Sequence, residues 1–135
     1  MVAEVDGRRA GLTVSSLTSL SLEPRLIGIS IALDASLHEI LREAGEWAVS
    51  MLSGEQEALA QHFARSVPPI ALWNGIDVRE DDPRLLTAAA GWIIARTIDQ
   101  IPTGDHTLFV GEIQSIEEGT AETSLVYVHR GYKSL

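Results

Sequence analysis

Apolar and polar positions alternate with a period of two over most of this chain and follow a period near 3.6 only in short windows, which predicts a mainly β protein with peripheral α-helices. Val2-Ala3-Glu4-Val5 and Arg8-Arg9-Ala10-Gly11 flank Asp6-Gly7, the pattern of a strand, a tight hairpin turn and a second strand. Hydroxyls then recur at Thr13, Ser15, Ser19 and Ser21; a single strand would put them on one face, with Leu12, Val14 and Leu20 on the other, until Pro24 stops the pattern. Leu26 to Leu33 is a β-branched apolar run of strand length, expected near the middle of a sheet. Gly28, Ser30 and Ala32 leave one of its faces without bulk, a gap that either a flat ligand or a large side chain of the protein would fill.

Helical spacing appears after Asp34. Leu37, Ile40, Leu41 and Ala44 fall at i, i+3, i+4 and i+7, with Asp34 placed to cap the helix and Gly45 to end it. Trp47 to Leu52 has the pattern of a strand, and Ser53-Gly54-Glu55-Gln56 that of a capping box opening a second helix through Ala64, with Leu59 and Phe63 on its buried face. Arg65 to Asp82, with Pro68-Pro69 and Trp73-Asn74-Gly75, is expected to be an irregular surface loop. Leu85 to Ile98 fits both periods, and its β-branched end favours a short turn into a strand. Ile101 to Asp105 is expected as a turn, and His106 to Ile116 with Thr123 to Val128 as a last hairpin across Glu117-Glu118-Gly119.

At 135 residues and 45% hydrophobic content the chain has the size of one domain able to bury a core. A net charge of −9 without a Lys/Arg cluster argues against a nucleic-acid partner. No apolar stretch approaches the roughly 20 residues of a spanning helix, and no signal peptide is evident, so no membrane partner and a cytoplasmic location are expected. Zero cysteines exclude disulfides, thiolate catalysis and cysteine-based metal sites. His38-Glu39-Ile40-Leu41-Arg42 puts an arginine where the zinc motif needs its second histidine, so no metal is expected. Gly28-Ile29-Ser30-Ile31-Ala32 nearly spells a nucleophile elbow but lies inside an apolar strand. Neither a G-x-G-x-x-G nor a P-loop occurs.

The hydroxyl row either faces water or donates to a ligand rich in acceptors, such as a phosphate or a flavin ring edge. Ser36 stands in the first turn of the first helix, where free N–H groups can hold an anion, although Asp34 competes for them. His106 follows Gly-Asp at the start of a strand, and Arg130 and Tyr132 close the chain; each is either an ordinary surface or tail residue or a ligand contact.

Gly11-x-Thr13-x-Ser15-Ser16-x-x-Ser19-x-Ser21-x-x-Pro24, followed by an apolar strand, resembles the opening of the flavin reductase-like proteins, which have an FMN-binding split barrel. Gly104-Asp105-His106-Thr107-Leu108-Phe109-Val110-Gly111-Glu112 is similar to that family's GDH-strand-G-E segment. Leu125-Val126-Tyr127 with Arg130-Gly131-Tyr132-Lys133-Ser134-Leu135 is similar to its closing strand and R-x-Y-x-x-L tail. The matches occur in the family's order and, with Leu52-Ser53-x-Glu55-Gln56 and Phe63-Ala64 between them, span nearly the whole chain.

The resemblance implies a split β-barrel of Greek-key type with peripheral helices, and residues 1–135 as a single FMN-binding domain lacking the family's N-terminal helix. It implies an NAD(P)H-dependent flavin reductase that binds FMN (or FAD), takes NADH or NADPH as co-substrate, forms a homodimer and supplies reduced flavin to a monooxygenase component. A flavin-binding protein without pyridine-nucleotide oxidation is the alternative. Carried over by motif, the flavin contacts are Thr13, Ser15, Ser16, Ser30, Ala32, Ser36, Leu37 and Phe63; His106 is the catalytic candidate and, with Arg130 and Tyr132, the contact for the pyridine nucleotide. Hydride transfer between stacked rings needs no strong acid, which agrees with so few ionisable residues in these motifs.

Overall fold

The long β-branched runs become the spine of one antiparallel sheet. The computed structural model describes residues 1–65 and 67–135; residue 66, within the expected surface loop, lies outside the described residues. The elements are β1 (Val2–Val5), β2 (Arg8–Gly11), β3 (Thr18–Leu22), β4 (Arg25–Ala32), α1 (Ser36–Ala44), β5 (Glu46–Met51), α2 (Glu57–Ala64), β6 (Gly91–Thr103), β7 (His106–Glu118), β8 (Leu125–Val128) and β9 (Gly131–Ser134). Seven strands form a sheet in the order β2-β1-β5-β6-β7-β4-β3, and β8 and β9 form a separate two-stranded ribbon. The molecule is mainly β with two helices.

Register fixes which side chains share a face. Ile27, Ile29 and Ile31 of β4 stand opposite Gly111, Phe109 and Thr107 of β7. These isoleucines and Phe109 pack with Trp47, Val49 and Ala95 from β5 and β6 and with Leu37 and Leu41 of α1, forming the main core. Each fully buried aliphatic side chain stabilises the fold by about 1.5–3 kcal/mol. Gly111 is required by this packing, because a Cβ there would enter the Trp47 indole ring. The indole is fully buried, and its Nε1 donates to the Thr97 hydroxyl at 3.1 Å. A smaller core of Phe63, Leu72 and Leu86 lies under the loop that follows α2.

The expected β1–β2 hairpin forms, with Asp6 and Gly7 both at positive φ. The expected continuous hydroxyl strand does not: pairing begins only at Thr18, with a register shift between Ser19 and Ser21. Residues 12–17 leave the sheet because Leu12, Val14 and Leu17 turn onto the main core, while Thr13 bonds α2 through its N–H to Phe63 O (3.2 Å) and its hydroxyl to Ala60 O (2.7 Å). The hydroxyls therefore share no common face. The small-residue face of β4 is partly roofed by the protein itself, since Leu20 of β3 occupies the space above Gly28.

Asp34 does not cap α1. The helix begins at Ser36 with Ala35 at the N-cap and no side-chain cap bond, because backbone bonds from Leu33 N–H to Asp105 O and from Ala35 N–H to Ala32 O hold the entry. Half of the expected capping box of α2 forms: Gln56 Oε1 accepts from Ser53 N–H at 2.9 Å, while the helix itself starts at Glu57. The expected turn at residues 101–105 shrinks to Gly104 and Asp105, so Pro102 sits in β6. It stands beyond Arg96, where β5 ends its pairing, and such an edge tolerates a missing N–H.

The expected last hairpin is also replaced. β7 pairs with β6 from His106 to Glu118 and with β4 over residues 106–112, and its remaining edge, 113–118, takes no strand from residues 125–128. Those residues pair with β9 across a two-residue turn in which His129 and Arg130 have positive φ. The ribbon is tied to the β5–α2 connection by Leu125 N–H to Leu52 O (2.9 Å) and Gly54 N–H to Thr123 O (3.2 Å). Gly54 permits this seat, because a Cβ there would overlap Ser134 and Thr123.

Candidate functional site

A cavity of about 950 Å³ opens between the loop after β2, the end of β5, α2 and the β8–β9 ribbon. Each wall follows from a local rule. Glu57, Gln61 and Arg65 are spaced by four and therefore present one polar stripe of α2 and its C-terminal end to the cavity. Gln61 Nε2 donates to Glu57 Oε1 at 2.8 Å and holds that carboxylate in place. On the ribbon Tyr127 and Tyr132 are direct cross-strand partners, with ring centroids 5.0 Å apart and planes inclined by 56°. The two-residue turn presents Arg130 beside them. Burial, then the neighbouring Tyr127 and the Glu57 carboxylate, push the Tyr132 phenol above its usual range, so it stays a neutral donor near pH 7.

Charge in the cavity is unevenly distributed. Arg8, Arg42, Arg79, Arg84 and Arg96 are all held in ion pairs with carboxylates. Among the described residues, Arg9, Arg25, Arg65 and Arg130 make no such pair, and the last two line this cavity. On a chain of net charge −9, this cavity gathers two guanidinium groups without a carboxylate partner, which are chemically able to take an anion, alongside one carboxylate, Glu57. The rest of the wall is apolar or aromatic, supplied by residues such as Val49, Leu52 and Phe63, with further neutral donors in Ser15, Ser124 and the tyrosine hydroxyls.

The structure brings Thr13, Ser15, Phe63, Arg130 and Tyr132 together around this cavity. Phe63 is buried, edge-on to His62 and tilted against Trp73, and Gly11 lets its ring close on β2 because a Cβ there would come within 2.9 Å of it. The Thr13 hydroxyl proton is spent on Ala60 O. Ser16 is engaged within the fold: its hydroxyl donates to Ser30 O at 2.9 Å and accepts from Ser30 N–H at 3.1 Å, which pins the loop to β4. The Leu37 side chain is buried in the main core and does not line this cavity.

Ser30, Ala32 and His106 lie apart from the cavity, on the face of the sheet turned away from α1, where Ala32 stands opposite His106 and Ser30 opposite Leu108. His106 is half-exposed and its Nδ1 bonds Asp105 Oδ1 at 2.7 Å. That bond holds the Asp105 carboxyl below its usual range. Ser36 is exposed in the first turn of α1 and lines a different cavity. His38, from the truncated zinc spelling, is buried with Nε2 2.8 Å from the Thr107 hydroxyl. Glu57, Gln61, Arg65, Ser124 and Tyr127 were not foreseen as lining residues; the four-residue spacing on α2 was the available signal for the first three.

Comparison with known proteins covers the whole chain. The family model of the flavin reductase like domain matches residues 1–135. The reductase component of 4-hydroxyphenylacetate 3-monooxygenase from Thermus thermophilus is 34% identical over 136 aligned residues, covering 100% of this chain and 85% of the relative. An NADH:riboflavin 5′-phosphate oxidoreductase from Streptomyces pristinaespiralis is 33% identical, covering 97% of this chain and 76% of its own. Among solved structures, an NADH:FAD oxidoreductase from Streptomyces globisporus superposes with a TM-score of 0.89 at 27% identity, over 99% of this chain and 82% of that one. The flavin reductase component of a bacterial two-component tryptophan halogenase superposes with a TM-score of 0.86 at 27% identity, over 99% and 86%. The motifs, the antiparallel sheet and the end-to-end match converge, and the chain belongs to the flavin reductase like domain family.

Proposed function

We propose that this chain is an NAD(P)H-dependent flavin reductase that binds FMN or FAD in the cavity between α2 and the β8–β9 ribbon. The observation that carries the reading is the donor set there: apolar and aromatic walls for a planar ring, neutral hydroxyls, and the unpaired Arg65 and Arg130 for a phosphate. The residues present therefore fit a flavin, which when bound supplies the acceptor for a hydride from the nicotinamide. Ser15, Phe63 and Tyr132 would hold and cover the ring system, and the two arginines would hold the anionic tail. Thr13 would act through its place in the loop rather than through its committed hydroxyl.

His106, as catalytic candidate, stands with Ser30 and Ala32 on the other face of the sheet. A homodimer that covers this face is part of the proposal, and a second copy of the chain would complete the site. The split-barrel arrangement of residues 1–135 as one domain belongs to the same reading. Because relatives are named as reductase components of oxygenases, delivery of reduced flavin to a monooxygenase component is proposed as the biological role. No helix among the described residues is long and apolar enough to cross a membrane, and a cytoplasmic location is proposed.

The test mixes purified protein with NADH or NADPH and with FMN or FAD, and follows loss of reduced nicotinamide. Oxidation above the protein-free control is expected for at least one pairing. Retained flavin absorbance with no oxidation in any pairing would select the flavin-binding alternative, in which His106 has no catalytic part.

A further inference from the structure

An imidazole is buried beside the main core. His38 lies on the buried stripe of α1 with Leu37 and Leu41 and meets the Phe109 ring edge-on, with centroids 5.6 Å apart. Its Nε2 is 2.8 Å from the Thr107 hydroxyl. Its Nδ1 is, among the described residues, the one buried side-chain polar atom without a hydrogen-bond partner. Such an atom costs stability, and an aliphatic side chain would fill the same place without that cost. What the imidazole supplies, and an aliphatic group cannot, is a directed bond to Thr107.

Glu39 Oε1 stands 3.7 Å from Nδ1 and is also engaged by Arg42 at 3.2 Å. A carboxylate on that side favours the tautomer with its proton on Nδ1, so Nε2 accepts and the Thr107 O–H donates. Carboxylate, imidazole and hydroxyl follow one another in the order of a hydrolytic triad. Thr107 is buried, however, and lines neither the cavity at α2 nor the one at Ser36, so its hydroxyl meets no substrate there. The bond acts on the strand that carries it.

Thr107 follows His106 at the start of β7. The β6–β7 turn is Gly104-Asp105, so His106 forms the outermost rung on both sides, opposite Thr103 of β6 and Ala32 of β4. Ladder ends are the places that open most readily. Alternation along β7 turns Thr107 and Phe109 inward and His106 and Leu108 to the outer face. His38 therefore grips two successive inward side chains just inside the tip, one by a hydrogen bond and one by an aromatic edge. A strand held in this way cannot roll about its axis without breaking the buried bond, and the imidazole of His106 on the opposite side keeps its direction. Further ties at the tip lie among exposed residues: Leu33 N–H donates to Asp105 O at 2.9 Å, and the Thr103 hydroxyl donates to His106 O at 3.2 Å.

We propose that His38 is a positioning residue, which acts through Thr107 to fix the direction of the His106 imidazole on the far side of the sheet. What His106 then does rests on the flavin reductase reading, in which it is the catalytic candidate; the tie itself is read without it.

The experiment compares wild type with His38→Leu, His38→Gln, Thr107→Val and the double variant carrying His38→Leu and Thr107→Val. Leucine fills the core without bonding, glutamine keeps a donor and an acceptor near the place of Nε2, and valine removes the Thr107 hydroxyl. The χ1 distribution of His106 is read from three-bond NMR couplings; kcat, KM for NADH or NADPH and the FMN dissociation constant are read on protein with an intact thermal transition. His38→Leu and Thr107→Val are each expected to spread His106 over several rotamers and to lower kcat about tenfold, with FMN affinity changed less than about twofold. The double variant should lose no more than either single one, and His38→Gln should restore the rotamer and most of kcat. Should leucine at position 38 prevent folding, Thr107→Val and His38→Gln carry the test. A His106 rotamer that ignores Thr107→Val, additive losses in the double variant, a shifted rotamer with undiminished kcat, or FMN affinity falling as far as kcat would each overturn the proposal. Wild type without any nicotinamide oxidation would remove the flavin reductase reading instead, and the response of the His106 rotamer to Thr107→Val would still support or overturn the tie.

Discussion

Single side chains in this protein divide sharply between those whose polar atoms are spent inside the fold and those left for a ligand. Ser16 belongs to the first kind. Its hydroxyl both donates to and accepts from the backbone of Ser30, so Ser16→Ala removes two bonds that tie the loop to β4. The expected cost is about 1–3 kcal/mol of stability, read from urea unfolding, with little change in flavin affinity. A loss of flavin affinity at unchanged stability would return Ser16 to the ligand. His106 is proposed for the second kind, and its ring has a single partner in Asp105. That partner's carboxyl is held below its usual range first by the bond from His106 and then by its charge, so His106→Ala should let Asp105 titrate higher, as followed by carbon NMR. The sign for stability follows: the pair supports the fold above the ordinary aspartate range, and the support is lost as pH falls through the lowered value. Both groups face solvent, so added salt should shrink the effect.

Elements legible in the sequence were those whose cause is local. Asp6-Gly7 announces the first hairpin by its demand for positive φ, and the β-branched run at residues 26–33 announces β4. The stretch from Thr13 to Ser21 misled because period two continues across a break: the aliphatic residues at 12, 14 and 17 are drawn to the core and α2 competes for Thr13. The partner of β8 was illegible for a different reason: β7 keeps an unpaired edge at 113–118, yet β8 pairs with β9 across the turn at His129 and Arg130, a choice that goes with the seat of the ribbon on the β5–α2 connection. The same holds for the site. Family motifs located Arg130 and Tyr132, yet the wall opposite them on α2 depends on how the ribbon docks. Gly54 controls that docking. Gly54→Ala would push a methyl group into Ser134 and Thr123, so β8–β9 should detach. Hydrogen exchange should speed up across residues 125–134 while β6 and β7 keep their protection, and flavin affinity should fall with it. Equal protection in the ribbon of wild type and variant would show that the ribbon accommodates the methyl group.

At the scale of the whole molecule, the residues carried over by motif are distributed over two faces, and the chemistry of the outer face explains what a second copy would do there. Thr13, Ser15, Phe63, Arg130 and Tyr132 surround the cavity, whereas Ser30, Ala32 and His106 share the outer sheet face with Leu108. That face is apolar where a monomer would be polar: Leu20 is 47% exposed above Gly28, and Ile101, opposite Leu108, is 40% exposed. Contiguous exposed aliphatic groups of this kind mark an interaction surface, and a net charge of −9 makes burial of such a patch against a like-charged copy depend on apolar contact alone. Ile101→Asp tests this. The position lies on β6 beyond its pairing with β5, where a polar side chain is compatible with the fold, but a carboxylate placed in a dimer interface would be desolvated without a partner. Wild-type protein should sediment as a dimer and Ile101→Asp as a monomer with reduced turnover, at nearly unchanged thermal stability of the isolated chain. A variant that stays dimeric would place the interface elsewhere, and a wild-type monomer with full turnover would mean that one chain brings His106 to its own cavity.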